Sequence, residues 1–322
     1  MNDRPANMPI NHFALAPEKN TFATVHVDLT HRCNMECANC YVPNRDIPDM
    51  DSRRLFDVLA KLPRRTDIRL MGGEPTLRLD LPEIIREVVR HGHRPVLATN
   101  GLKLAHLDYC RMLKVAGLRY VLLSMNGADD DDVYRVIDSG KYAVLKTRAL
   151  KNCLEVGFRL NTGTIIAKGV NEHTLQAQID LVVRTARELG INFDRDRPWS
   201  RVTPILRMRS VGAIGRYMPD SSCSYDEMVR LLAAALDRPI EQILQRSMTP
   251  GRVLLELEDD GGERSALVPV ETEAGKVLVR LVDWSTDEAG VPDAGNPHRG
   301  RLTSDFRIAP FFEDIKANEF GY

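Results

Sequence analysis

Short runs of β-branched and aliphatic residues alternate along this chain with longer segments whose apolar residues recur every three to four positions. That alternation predicts βαβ units and a parallel sheet. "TVHVDLT" from Thr24 reads as a first strand, and a helix beginning near Asp51 puts Leu55, Leu59 and Leu62 on one face. "DIRLMGG" is the second strand, followed by the helix "LPEIIREVVRHG" with Pro82 near its start and Gly92 past its end. "RPVLATNG", "LRYVLLSMNG" and "FRLNTGTIIAKG" continue the series, with helices around residues 104–116 and 142–156 between them. A sixth strand falls in "RVTPILRM", after a helix over residues 172–190. Six units are fewer than a closed eight-unit barrel needs, but sites are still expected at the C-terminal strand ends.

The pattern changes after Arg209. A Gly/Pro/Ser-rich connection and a short helix, "YDEMVRLLAAAL", lead into a β meander with turns at Asp260-Gly261-Gly262 and Ala274-Gly275. The tail from Asn296 has little periodicity and several aromatics. Phe306, Phe311, Phe312 and Tyr322 either fold over the mouth of the core as a lid or simply pack on the domain. The expected organisation is an N-terminal extension (1–21), a main α/β domain (22–209) and a small β-rich C-terminal extension (210–322).

With 322 residues, 43% of them hydrophobic, the chain can bury a full core. A net charge of −1 gives no global pull toward nucleic acid or an anionic membrane. The N-terminus lacks a signal-peptide apolar stretch, and no apolar run is long enough to span a bilayer, so a soluble cytoplasmic protein is expected. In a reducing compartment, six sparse cysteines point to metal binding or catalysis where they cluster.

Three of them cluster, in "DLTHRCNMECANCYVPNRD": Cys33, Cys37 and Cys40. Their spacing fits one helix face, but Asn34, Glu36, Asn39 and Pro43 give no apolar stripe around them. A zinc-stabilised binding protein would use the three thiolates with His31 or a distant ligand, yet no second CxxC or HxxxH pair is present. An iron–sulfur cluster bound by three thiolates leaves one iron open to an exogenous molecule.

CxxxCxxC just after a first strand resembles the radical S-adenosylmethionine (SAM) enzymes, and "LMGGEPTL" at the end of the second strand resembles their GGEP motif. The resemblance covers about residues 22–208 and is closest to the molybdopterin-precursor cyclase and SPASM-type branch, without that branch's cysteine-rich auxiliary-cluster region. It implies a partial (β/α)6 TIM-like barrel with a [4Fe-4S] cluster on Cys33, Cys37 and Cys40 at its mouth, and SAM chelated to the open iron. It also implies SAM contacts from Gly72, Gly73 and Glu74, from Thr99 and Asn100, from Ser124 and Asn126, and from Asn161 near the ribose, with the Ile165/Ile166 region against the adenine. The family often carries an aromatic or His before the third cysteine and Asp at the Asn126 position; this chain has Asn39 and Asn126.

The implied function is reductive cleavage of SAM to a 5′-deoxyadenosyl radical that takes hydrogen from a small metabolite or natural-product intermediate, with an external one-electron reductant such as flavodoxin or ferredoxin. Cys223, in the polar stretch "YMPDSSCSYDE", is a candidate hydrogen-atom donor, which would make the enzyme an epimerase. A ribosomal-peptide maturase is a further alternative, although residues 1–21 are too few for a leader-binding domain. Cys110 and Cys153 fall in register with apolar neighbours and are expected in the core. Arg197, Arg201, Arg207 and Arg209, with Arg299, Arg301 and Arg307, suit a carboxylate- or phosphate-bearing substrate or form a solvated surface.

Overall fold

In the computed structural model, which describes residues 14–42, 44–193, 204–211, 218–247, 265–282 and 299–310, each of the six expected strand-to-helix units forms in order. β1 (Thr24–Thr30) leads into the cysteine loop and α1 (Ser52–Lys61), and Asp51 caps that helix through its carboxylate. β2 (Asp67–Gly72) and α2 (Leu81–Arg90) follow, then β3 (Arg94–Thr99) and α3 (Leu107–Ala116). β4 (Tyr120–Ser124) is followed by two helices, α4 (Asp131–Ile137) and α5 (Ala143–Val156). β5 (Arg159–Ile166) with α6 (Leu175–Glu188), and β6 (Ile205–Ser210) with α7 (Tyr225–Ala235) and α8 (Ile240–Ser247), complete the series.

β1 to β6 pair in parallel, each with its sequence neighbour. Alternate residues of each strand divide the work, as the pleat requires. Val25, Val27, Leu29, Ile68, Leu70, Leu97, Val121, Leu123, Leu206 and Met208 join the helices in one buried apolar cluster. The other face is polar and still buried: His26, Arg69, Asn161, Arg209 and Arg301 are among its closed-off residues. The eight described α-helices all follow strands, the apolar face takes their packing, and the sheet is not closed, as in a partial barrel.

Two hairpins widen the sheet. β7 (Ser265–Thr272) and β8 (Gly275–Val282) are antiparallel, and β8 lies parallel to β6. β9 (Arg299–Leu302) lies parallel to β1 and carries antiparallel β10 (Ile308–Pro310). One ten-stranded sheet results, in the order β10-β9-β1-β2-β3-β4-β5-β6-β8-β7. The turn expected at Ala274-Gly275 is there; that at Gly261-Gly262 lies outside the described residues.

Three expectations change. The tail, read as lacking periodicity, supplies β9 and β10; strands of four and three residues hold too few positions to show alternation, and the open edge of β1 defines them. α4 was not foreseen, because its acidic start, capped by Asp130, reads as a turn. α8 was likewise missed. Phe306 packs against Arg54 of α1, 4.0 Å from guanidinium carbon to ring centroid, while Phe311, Phe312 and Tyr322 lie outside the described residues.

α7 is fixed at its start by a reciprocal capping box between Ser224 and Glu227, and Lys168 pairs with the same carboxylate at 2.6 Å. The Lys168 bond first, then the Ser224 donors, hold Glu227 down at about 2, below its ordinary 4.5. A depressed acid stabilises the fold above its unfolded value and loses that contribution as pH falls through its folded one. Glu227→Gln is therefore expected to be less stable than wild type by a constant margin above about pH 5, a margin that closes between 4.5 and about 2. Urea midpoints across pH check this; a margin unchanged at acid pH would remove the capping carboxylate as its cause.

Candidate active site at the strand ends

β1 and β2 run in register until Asp28, where the pairing shifts and Thr30 meets Gly72. From that irregularity the cysteine loop departs. Gly73 donates its N–H to Thr30 O at 2.7 Å and Glu74 donates to Arg32 O at 2.8 Å. A side chain at residue 73 would place its Cβ 2.3 Å from Arg32 O, and one at residue 72, where φ is +117°, 2.3 Å from Thr30 O. The close approach these two glycines permit is thus to the backbone of the cysteine loop itself.

The far side of the loop is tied to the end of α4. Ala38 N–H bonds Ile137 O at 2.8 Å, Ser139 Oγ donates to Glu36 O at 2.6 Å, and the Cys37 thiol donates to Asp138 Oδ1 at 3.4 Å. Arg45 closes it from within, donating to His31 O, Met35 O and Cys40 Sγ, the last at 3.3 Å. Asn100, at the end of β3, donates Nδ2–H toward Cys33 Sγ at 3.8 Å and to Asn34 Oδ1 at 2.8 Å.

All three thiols are partly exposed, and each of Cys33 and Cys37 feels the charge of Cys40. Burial pushes the Cys33 and Cys37 thiols up; the Asp138 carboxylate adds to this at Cys37, and the Lys146 ammonium opposes it. Among the described residues no group of three His, Cys, Asp or Glu side chains converges on one ion. Three thiols gathered on one loop are the donor set that an iron–sulfur cluster with one open iron takes. The N–H donors aimed at Cys33 and Cys40 suit thiolates, since hydrogen bonds to cluster sulfurs are part of how a protein tunes such a centre.

Glu74 is wholly buried and has four donors. Oε1 accepts from Thr76 N–H (3.0 Å), Thr76 Oγ1 (2.6 Å) and Thr99 Oγ1 (2.7 Å), and Oε2 accepts from Asn100 N–H (2.7 Å). It clamps the end of β3 to the end of β2, and through Asn100 to Cys33. Asn126 is equally committed: Nδ2 donates to both oxygens of Asp138 (3.1 and 3.2 Å), and Oδ1 accepts Ile165 N–H at 3.0 Å. Asp at this position would oppose the buried Asp138 carboxylate, which gives the departure from the family pattern a local reason.

Ser124 is exposed at the end of β4, and its carbonyl accepts a 2.8 Å bond from Lys146 Nζ. Asn161 is buried in β5, on the same sheet face as Ser124 by register. Ile166 enters the main core, and Ile165 packs on a small cluster of Val133, Ile137, Ala167 and Val211. Cys223 is a correction: it was expected in a polar loop, but it is 6% exposed and belongs to the apolar core cluster. Its N–H donates to Ser210 Oγ at 2.7 Å, and burial pushes its thiol up. Cys110 and Cys153 are core residues as expected and touch thiol to thiol. Arg197 and Arg201 lie outside the described residues.

Sequence reasoning missed Asp138, Arg45 and Lys146. Lys146 had a signal: a lysine on the α5 face that also carries Ala143, Ala149, Leu150 and Cys153 is buried with its charge, and here it lies close enough to affect Cys37.

Residues 27–182 match the model of the Radical SAM superfamily. The 7,8-dihydro-6-hydroxymethylpterin dimethyltransferase of Methanocaldococcus jannaschii is 32% identical over 189 residues, which are 54% of this chain and 36% of that protein. PqqA peptide cyclase of Methylorubrum populi is 29% identical over 231 residues, 69% of this chain and 56% of that one. The chain thus spans about a third to just over half the length of these curated relatives. The crystal structure of Streptococcus suis SuiB bound to precursor peptide SuiA superposes with a TM-score of 0.57 at 15% identity, covering 91% of this chain and 60% of that one. That likeness is one of fold.

Because Glu74 satisfies four donors inside the protein, Glu74→Ala is expected to lower stability by about 3 kcal/mol, the order of loss when a buried, multiply bonded charge is removed. Urea unfolding of the iron-free chain measures this apart from any cofactor. A change below about 0.5 kcal/mol, the range of ordinary surface substitutions, would show that the clamp carries no weight.

Proposed function

Since the chain belongs to the radical SAM superfamily, whose members use a [4Fe-4S] cluster and SAM, we propose that it is an enzyme that binds the cluster through Cys33, Cys37 and Cys40 and acts on a small metabolite or natural-product intermediate. The observation that carries this is the thiol trio itself: three partly exposed cysteines on one loop at the C-terminal strand ends, two of them faced by N–H donors. When bound, the cluster and SAM supply a 5′-deoxyadenosyl radical for hydrogen abstraction, with the electron coming from an external reductant.

This chain's residues then have separable tasks. Arg45 and Asn100 direct N–H donors at the sulfurs of Cys40 and Cys33. Lys146 offsets the carboxylate of Asp138 beside Cys37, so that the negative charges gathered there remain tolerable in a buried setting. Gly72, Gly73, Glu74, Thr99, Asn100, Ser124, Asn126 and Asn161 form the SAM side of the site, Ser124 as the exposed member and Glu74 with Asn126 as the clamps behind it. Cys223, packed in the core, supports the fold rather than the epimerase reading.

A second reading, a maturase acting on a peptide, is favoured by the likeness to PqqA peptide cyclase over 69% of this chain. Genomic neighbours encoding a small precursor peptide would favour it over a metabolite substrate.

Replacing Cys33, Cys37 or Cys40 by Ala should abolish iron retention after anaerobic reconstitution, together with dithionite-dependent release of 5′-deoxyadenosine. The checks are iron and sulfide analysis and chromatography of the nucleoside. Wild-type iron content and nucleoside release in the triple variant would overturn the assignment.

A further inference from the structure

Two charged side chains are buried beside the cysteine loop. Asp138 is 2% exposed and stands at the C-terminal end of α4, where the helix's own carbonyls favour a cation over an anion. Lys146 is wholly buried in α5, where its Nζ donates to the neutral carbonyl of Ser124 at 2.8 Å and stands 5.7 Å from the centre of the Tyr134 ring. Burying either charge costs stability. What the two have in common is the thiol they act on.

Asp138 Oδ1 accepts the Cys37 S–H at 3.4 Å. Asn126 keeps the carboxylate in that place: its Nδ2 donates to both oxygens, at 3.1 and 3.2 Å, and it is itself fixed by Ile165 N–H on its Oδ1 and by Asn171 Nδ2 on its backbone carbonyl. Lys146 joins the same constellation through Ser124, two residues before Asn126. The two charges affect Cys37 with opposite signs, the carboxylate pushing the thiol up and the ammonium drawing it down.

Binding a metal removes the thiol proton and leaves the carboxylate beside a thiolate. Reduction then adds one more negative charge to whatever centre the three thiolates hold, and net charge is among the properties that set an iron–sulfur potential. Charges buried together are screened far less than charges in water. A fixed anion at Cys37 therefore opposes the arriving electron, and a fixed cation favours it.

We propose that Asp138 and Lys146 are opposed positioning residues for the electron-transfer step: acting through Cys37, Asp138 makes a cluster on Cys33, Cys37 and Cys40 harder to reduce, and Lys146 makes it easier. This rests on the radical SAM reading of the site and adds to it the residues that set how strong the external reductant must be. Asn126 serves the pair by holding the carboxylate against Cys37.

The test is a dithionite titration of the anaerobically reconstituted full chain, with the reduced cluster followed by electron paramagnetic resonance. Asp138→Asn should raise the midpoint potential and Lys146→Met should lower it. Each change is expected to alter the reduction equilibrium about tenfold, which is 59 mV for one electron. The double variant should return close to wild type, and Lys146→Arg, which keeps the charge, should stay there. Lys151→Met, on the exposed side of α5, should shift nothing. If Asp138→Asn or Lys146→Met does not fold, Asp138→Ser or Lys146→Gln takes its place in the same titration. Loss of packing alone has no reason to move the potential in two directions, so unless the two shifts are opposite in sign the inference fails. It fails too if the variants fold by circular dichroism but take up no iron, since the pair would then be anchors of the loop. A wild type that never takes up iron sinks the radical SAM reading and the inference with it, whereas a loaded wild type whose variants show no opposite shifts sinks the inference alone.

Discussion

The site depends on how closely the end of β2 approaches the loop that leaves β1. Two backbone bonds, Gly73 N–H to Thr30 O and Glu74 N–H to Arg32 O, hold the first residues of the cysteine loop against the sheet, and a side chain at residue 73 would collide with the carbonyls that accept them. Everything downstream inherits this. Cys33 is the next residue after Arg32, so its position is set by main chain rather than by side-chain packing. The clamp at Glu74 then ties in the end of β3, whose Asn100 returns to Cys33. The first thiol is thus located by three successive strand ends, and the strands are located by a core of aliphatic residues from β1 to β6.

Electrostatics is the opposing constraint. The cysteine loop is flanked by a fully buried Glu74 on the Cys33 side and a buried Asp138 on the Cys37 side, with three sulfurs between them that would become anionic on binding a metal. Such a gathering is costly in a low-dielectric setting unless each charge has donors or a counter-ion. Glu74 is met by four hydrogen bonds, Asp138 by Asn126 and the Cys37 thiol, and the thiols by Arg45, Asn100 and the field of Lys146. Asp138 and Cys37 are bonded here through the thiol proton, which metal binding removes. Asn126, with two N–H atoms directed at Asp138, is then the donor that remains.

How much of this was visible in the sequence follows from the range of each interaction. Strands and helices of the six units were legible because their periods repeat over five or more residues, and caps such as Asp51 mark the boundaries. The cysteine spacing and the double glycine were legible because both sit within one short stretch. Asp138 and Lys146 were not, since they lie 101 and 109 residues beyond Cys37 and only the fold brings them to it. Cys223 was misplaced for the converse reason: its polar neighbours in sequence suggested solvent, whereas in space it joins Tyr225, Met228 and Val229 in the core. β9 and β10 carry no pattern of their own and exist because β1 offers an unpaired edge.

That edge also explains why a sheet of six parallel strands gains two hairpins. An open barrel has two exposed edges, β1 and β6, each a row of unpaired backbone groups beside the site. Here β9 covers one and β8 the other. Both covering strands bring arginines to the polar face, Arg299 and Arg301 on one side and Arg280 on the other. Arg301 is neutralised by Asp28 of the adjoining strand, and its partner position His26 is pressed toward the neutral form by burial and by the surrounding arginines. Arg280 instead lies opposite Arg207 of β6. The two edge strands therefore close the sheet in the same way: each is the inner strand of an antiparallel hairpin and runs parallel to the barrel strand it covers, so the outer strand of each hairpin, and not β1 or β6, carries the exposed edge.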